Sequence, residues 1–196
     1  FPTRRSSDLL FERQGKTLNN FERTLPPVQS DLAQQIFRDP MNLEFLGLSE
    51  QVSERNLERR LMERLKDFML ELGVGFAFVG NQYPLEVDGR DFYLDLLFYH
   101  LKLRCFVVID LKVTDFQPEF VGKMGFYLAA VDHLLKHEAD QPSIGLILCK
   151  GKSKTVAEWS LRDASKSMAV AEYRTLPSEL LSSLPTPEQL EAELDG

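Results

Sequence analysis

Three ionisable residues, Asp95, Asp110 and Lys112, interrupt the strand-forming runs within Asp91 to Val113 (DFYLDLLFYHLKLRCFVVIDLKV). Asp95 and Asp110 each interrupt a run of strand-forming residues, and Lys112 follows Asp110 by two positions. The pattern predicts two adjacent β-strands joined by a tight basic turn. Residues i and i+2 of a strand share a face, so Asp110 and Lys112 are expected to point together. Asp95 can lie beside Asp110 on the neighbouring strand. Such groups are costly to bury unless they are paired or bound to a metal, and two adjacent carboxylates repel unless a cation sits between them. Hard oxygen ligands favour Mg²⁺ or Mn²⁺, held by one or two carboxylates together with water and a phosphate. A lysine beside the bound water can orient or deprotonate it, or stabilise charge building on phosphate oxygens. That set suits phosphodiester hydrolysis by metal-activated water. The same residues equally permit a structural cluster in which Lys112 neutralises the aspartates.

The elements that must position the trio follow from periodicity. From Ser49 to about Leu72, apolar residues recur at helical spacing (Leu57, Leu61, Leu65, Phe68, Leu72), with Ser49 or Ser53 as cap and Gly73 as stop. The charges on its other face, Glu54, Glu58, Arg59, Glu63 and Lys66, read as a solvated surface. A strand with a bulge near Gly80 is expected over Gly75–Val87, then a turn at Val87-Asp88-Gly89 and a strand over Phe92–His100. Leu101-Lys102-Leu103 turns into the strand Arg104–Val113. After Pro118 comes a helix to about His137, striped by Phe120, Met124, Leu128, Val131 and Leu135. A short apolar strand at Ser143–Cys149, a helix near Thr155–Leu161 and a strand near Ala169–Tyr173 complete the order α-β-β-β-α-β-α-β. Near-continuous apolar strands linked through helices imply an α/β three-layer sandwich: a mixed sheet of about five strands with helices on both faces.

The 196 residues carry a net charge of −7, and 43% are hydrophobic, an ordinary globular composition. The acidity argues against a broad basic surface for nucleic acid, although Glu188, Glu191, Glu193 and Asp195 concentrate four of the negative charges at the C-terminal end. No apolar run approaches a membrane span. Cys105 and Cys149 lie in apolar strands and read as buried thiols of a reducing cytoplasm. Residues 1–10 (FPTRRSSDLL) fit no element and read as a non-native scar. Residues 11–48 read as a linker or remnant of an upstream helical domain, 49–180 as the main domain, and 181–196 as an acidic tail.

Asp95 followed by Asp110-Leu111-Lys112, on consecutive strands after an acidic helix, resembles the PD-(D/E)XK nuclease superfamily. The surrounding text (GFAFVGNQYPLEV, PEFVGKMGFYLAAVDHLLKH, PSIGLILCK and LRDASKSMAVAEYR) resembles the C-terminal domain of the YhcG-like family from about Asp39 to Pro185. The resemblance implies a restriction-endonuclease-like fold and Mg²⁺- or Mn²⁺-dependent cleavage of nucleic acid, with DNA the expected substrate. It implies Asp95 and Asp110 as metal-binding acids and Lys112 as the catalytic lysine. It implies Glu58, with Glu54 its alternative, as the first-helix acid that holds the metal with the two aspartates. Lys123 and Tyr127 take the positions of a Gln-x-x-x-Tyr motif that supports the substrate phosphate. Here lysine replaces the glutamine, a point charge in place of an amide, and Asp110 is one methylene shorter than the commoner glutamate. The expected setting is bacterial and cytoplasmic, without membrane attachment. Partners implied are nucleic acid, a second copy in a homodimer, and an upstream helical domain. The rival expectation keeps the fold without turnover, as a nucleic-acid-binding or protein-interaction module beside a restriction–modification or defence system.

Other groupings carry less. His133 and His137 have the i, i+4 spacing of a metal pair but no third ligand in the sequence. Lys150, Lys152 and Lys154 form a basic loop that could touch a phosphate backbone or simply be solvated. His100, Lys102 and Arg104, at a hairpin tip, read the same way.

Overall fold

The computed structural model describes residues 15–49 and 51–177. The expected scar (1–10) and acidic tail (181–196) lie outside the described residues. The chain begins with short elements: β1 (Gly15–Lys16), β2 (Leu18–Asn19), α1 (Phe21–Thr24), α2 (Pro27–Ile36), β3 (Arg38–Asp39), β4 (Met41–Asn42) and a 3₁₀ turn at Glu44–Leu46. Then follow α3 (Glu54–Glu63), α4 (Leu65–Leu72), β5 (Phe76–Val87), β6 (Arg90–His100), β7 (Cys105–Leu111), α5 (Glu119–Leu134), β8 (Ile144–Cys149), α6 (Lys154–Arg162) and β9 (Met168–Arg174).

The main sheet runs β2-β9-β8-β7-β6-β5, with β4 also pairing to β9. β5, β6 and β7 form an antiparallel meander, whereas β7, β8 and β9 are mutually parallel. Asp88 (φ 51) and Gly89 (φ 69) both take left-handed backbone, the conformation a two-residue hairpin turn needs. The bulge expected near Gly80 is a register shift between Phe78 and Gly80. The expected first helix is two helices, because Arg64 leaves helical geometry (φ −116, ψ 33) between α3 and α4. Ser53, not Ser49, caps α3, its hydroxyl accepting the Asn56 N–H at 3.2 Å.

Two apolar layers sandwich the sheet. On one face Leu57 and Leu61 of α3 and Phe68 and Leu72 of α4 pack against Leu96, Phe98 and Ile109. On the other, Met124, Leu128 and Val131 of α5 and Ala157 and Leu161 of α6 pack against Leu97, Val108, Ile147 and Val170. This is the expected α/β sandwich with helices on both faces. The parallel strands are apolar on both sides because both sides are covered, as in β8, where every residue is buried.

Residues 15–48 correct the linker expectation. Phe21, Leu25, Ala33, Phe37, Met41, Leu43 and Leu46 join the first apolar layer, and β2 and β4 add themselves to β9, so the sheet has seven strands. The Asn20 side chain ties the segment down, accepting the Met168 N–H at 2.9 Å and donating to the Lys166 carbonyl at 2.9 Å. Its apolar residues are spread over elements of two to ten residues, too short to show a period.

Helix α5 approaches the sheet closely over β8. A Cβ added to Gly145 would meet Met124 Cγ at 2.6 Å and Leu128 Cδ1 at 3.2 Å. Gly145→Val is therefore expected to overpack this contact and lower stability by ~1–3 kcal/mol, measured as a shift in the urea midpoint.

Candidate active site

Asp110 occupies the penultimate position of central strand β7, 2% exposed. The β6–β7 ladder pairs Leu96 with Ile109 as its last rung toward this end. Continuing that register sets Asp95 beside Asp110. There the carboxylate takes over from the backbone, Asp95 Oδ2 accepting the Leu111 N–H at 2.8 Å. On the other side the chain stays tied to β8 by Lys112 N–H donating to the Leu148 carbonyl at 2.8 Å. The strand alternation expected from sequence holds: Asp110 and Lys112 point together, with Lys112 Nζ 2.9 Å from Asp110 Oδ2.

Lys112 is itself only 6% exposed. Its Nζ donates to the Leu111 carbonyl at 3.3 Å and stands 5.3 Å from the centre of the Phe120 ring. A second cation reaches Asp110 from α5, Lys123 Nζ lying 3.4 Å from Oδ1. Lys123 also stands 5.3 Å from the centre of the Tyr127 ring, one helical turn on. The structure thus brings Asp95, Asp110, Lys112, Lys123 and Tyr127 together.

These contacts shift the protonation equilibria. Burial, reinforced by the Asp110 carboxylate, pushes Asp95 up to about 6 despite the bond from Leu111 and the nearby lysines. For Lys123, burial works against the charge, but Asp110, Tyr127 and Asp95 outweigh it and the ammonium is held above its ordinary range. Burial also raises the Tyr127 phenol.

Glu58 arrives from α3 on the opposite layer. It lines a cleft of ≈ 720 Å³ with Glu54, Arg55, Asn81, Gln82 and Asp95. Both Glu58 oxygens are taken by amides of β5: Asn81 Nδ2 donates to Oε1 at 3.0 Å and Gln82 Nε2 to Oε2 at 2.6 Å. Gln82 Nε2 also donates to Asp95 Oδ1 at 3.3 Å. Glu58 therefore meets Asp95 through Gln82. Sequence reading overlooked Gln82, although the β5–β6 register sets it opposite Asp95 between the rungs Asn81–Leu96 and Tyr83–Leu94. Its signal was an amide pair interrupting an otherwise apolar strand. Glu54 sits on the same cleft wall and is solvent-exposed.

The donor set fits a hard divalent cation. Asp110 Oδ2 is buried and has no hydrogen bond, the Lys112 ammonium lying close but outside hydrogen-bonding geometry. Asp95 is raised partly because Asp110 repels it, a cost that a cation between them would remove. Mg²⁺ and Mn²⁺ need only one or two protein carboxylates, with water and phosphate filling the remaining positions. Among the described residues no three His, Cys, Asp or Glu side chains form a metal-holding cluster.

The basic loop resolves differently. Lys152 is half-buried, its side chain 9% exposed, and bonds Asp39, with Glu172 Oε1 3.8 Å away. Asp39 in turn accepts the Glu172 N–H at 3.1 Å. These residues line a larger cleft of ≈ 920 Å³ on another part of the surface, where the Lys152 charge is taken up by the two carboxylates. Lys152 is a structural clamp between the N-terminal segment and β9, not an exposed phosphate contact. Lys154 faces Glu158 at 3.8 Å. His137 Nδ1 accepts the Ala139 N–H at 3.1 Å, a local turn contact. Cys105 and Cys149 are buried free thiols, both pushed up to about 12 by burial.

Asp95 makes stability depend on pH. Between its ordinary 3.8 and about 6 the folded chain keeps a proton that the unfolded chain has lost, so the stability it contributes at low pH disappears as pH rises through that window. Asp95→Asn is expected to be more stable than wild type at pH 7.5 and nearly equal to it at pH 4. Urea denaturation at both pH values checks this.

Comparison with known proteins agrees with the geometry. A family model described as the YhcG PDDEXK nuclease domain matches residues 34–195. The Escherichia coli (strain K12) protein named "Putative nuclease YhcG" is 42% identical over 149 residues, 76% of this chain and 40% of its own length. The chain thus spans well under half of that relative. Among solved structures, a repair endonuclease from Pyrococcus abyssi is similar with 17% identity and TM-score 0.41, over 65% of this chain and 48% of its own. An EndoMS–dsDNA complex is similar with 16% identity and TM-score 0.40, over 61% and 44%. By its family match and its identity to that relative, the chain belongs to the YhcG PDDEXK nuclease domain family.

Proposed function

We propose that this domain is a divalent-metal-dependent nuclease that hydrolyses nucleic-acid phosphodiester bonds, with DNA as its substrate. The observation that carries the reading is Asp110, buried beside a second carboxylate and flanked by Lys112 at 2.9 Å and Lys123 at 3.4 Å. Asp95 and Asp110 would hold Mg²⁺ or Mn²⁺, which when bound supplies Lewis acidity and a water of lowered pKa. Lys112 Nζ, anchored by Asp110 and the Leu111 carbonyl, orients the attacking water and offsets negative charge as it builds on the phosphate. Lys123 stays cationic and, with Tyr127 beneath it, steadies the substrate phosphate. Glu58 supports Asp95 from the far side of the cleft.

The wider setting is part of the same proposal: a cytoplasmic enzyme acting as a homodimer, with an upstream helical domain supplying the basic surface that a net charge of −7 does not. No helix among the described residues is long and apolar enough to cross a membrane. A second reading is favoured by the two ammonium groups already neutralising Asp110. In it, the chain binds nucleic acid or a protein partner and does not cut.

Plasmid cleavage with Mg²⁺ or Mn²⁺ separates the readings. Asp95→Ala and Lys112→Ala are each expected to reduce the cleavage rate by at least roughly 10²-fold. Mn²⁺ binding to the metal-free chain is expected to weaken as pH drops through about 6, where Asp95 takes up its proton and competes with the cation. Activity that survives both substitutions overturns the assignment. Salt-dependent binding with no metal-stimulated cleavage establishes the second reading.

A further inference from the structure

β5 departs from regular geometry where it meets the site. Consecutive side chains of a strand point to opposite faces, yet Asn81 and Gln82 both bond the Glu58 carboxylate. Gln82 achieves this by adopting left-handed backbone, φ 43, three residues after the register shift that begins at Val79. A left-handed non-glycine residue is strained and persists where its surroundings hold it. Here the surroundings are two carboxylates. Gln82 Nε2 has two protons, and both are used, toward Glu58 Oε2 at 2.6 Å and Asp95 Oδ1 at 3.3 Å. A neutral amide thus stands between two anions that would otherwise repel.

We propose that Gln82, aided by Asn81, is a positioning residue of the site: its amide couples Glu58 to Asp95, so Glu58 acts on the cation site through Gln82. The inference rests on the metal-site reading above and deepens it. The amide fixes the rotamer of Asp95 while the Leu111 N–H holds the other oxygen. Glu58, with both oxygens occupied, supplies the charge that orients the amide. Partners of this kind, one hydrogen bond behind a metal ligand, commonly change metal affinity by 10–100-fold when removed.

The test is a double-mutant cycle read by Mn²⁺ calorimetry on the full chain without nucleic acid. It compares wild type, Gln82→Met, Glu58→Gln and the double variant. Methionine keeps the length of glutamine and removes the donor. Each single variant is expected to bind Mn²⁺ roughly ten-fold more weakly, and the double variant no more weakly than the singles, because the two residues act as one unit. Raising the Mn²⁺ concentration should restore cleavage by Gln82→Met, a rescue that a purely structural defect would not show. Wild-type Mn²⁺ affinity in Gln82→Met overturns the proposal, as do effects that multiply in the double variant. A melting temperature that falls without any change in Mn²⁺ affinity marks Gln82 as merely structural and also overturns it. Wild type that binds no Mn²⁺ overturns the metal-site reading and the Gln82 role together. Wild type that binds Mn²⁺ without cutting refutes the nuclease reading alone, and the cycle still decides the role of Gln82.

Discussion

Asp110 is a carboxylate withdrawn from water at the end of a central strand, and the surrounding structure is arranged around keeping it there. An isolated charge in such a place costs several kcal/mol, so the neighbouring elements each contribute a compensating group. β7 itself supplies Lys112 two residues on, and α5 supplies Lys123. β6 supplies Asp95, which adds repulsion but ties the strand end by accepting the Leu111 N–H. The balance is incomplete: Asp110 Oδ2 has no hydrogen bond and Asp95 is raised to about 6. A structural ion pair would tend to satisfy every lone pair. Two carboxylates that repel each other, one of them meeting Lys112 only as an ion pair at 2.9 Å, leave room for a further cation to be stabilising.

That arrangement depends on the sheet being rigid on both sides. Helix α5, which carries Lys123 to Asp110, lies close against β8 where Gly145 has no side chain. On the opposite layer, α3 carries Glu58 to the cleft while Leu57 and Leu61 anchor its inner face in the core. The site is therefore assembled from both helical layers at one end of the sheet. No single layer contains it.

The N-terminal segment contributes at a distance. Asp39 of β3 and Glu172 of β9 hold Lys152, which follows β8. The same loop holds the segment after Lys112, with the Phe116 N–H donating to the Gly151 carbonyl at 2.8 Å and the Lys150 N–H to the Thr114 carbonyl at 3.0 Å. A continuous set of polar contacts thus runs from residues 15–48 to the chain just beyond Lys112.

Much of this was legible in the sequence, and the reason is periodicity. The two-residue alternation of a strand places Asp110 and Lys112 on one face whatever surrounds them. The helical stripes of Leu57–Leu72 and Phe120–Leu135 and the Asp88-Gly89 turn likewise depend on local geometry, so the order of the five main strands and their helices followed from them. Contacts between residues distant along the chain left no such trace. Gln82 reaches Glu58 and Asp95 only through its left-handed backbone and the register of β5 against β6. Lys152 looked like an exposed basic residue until Asp39, 113 positions earlier, was brought against it. By itself the sequence determined which charges lie on which strand, because strand geometry is local. Tertiary structure alone decided that Glu58 meets Asp95 through an amide, because that depends on how two layers and a bulged strand converge.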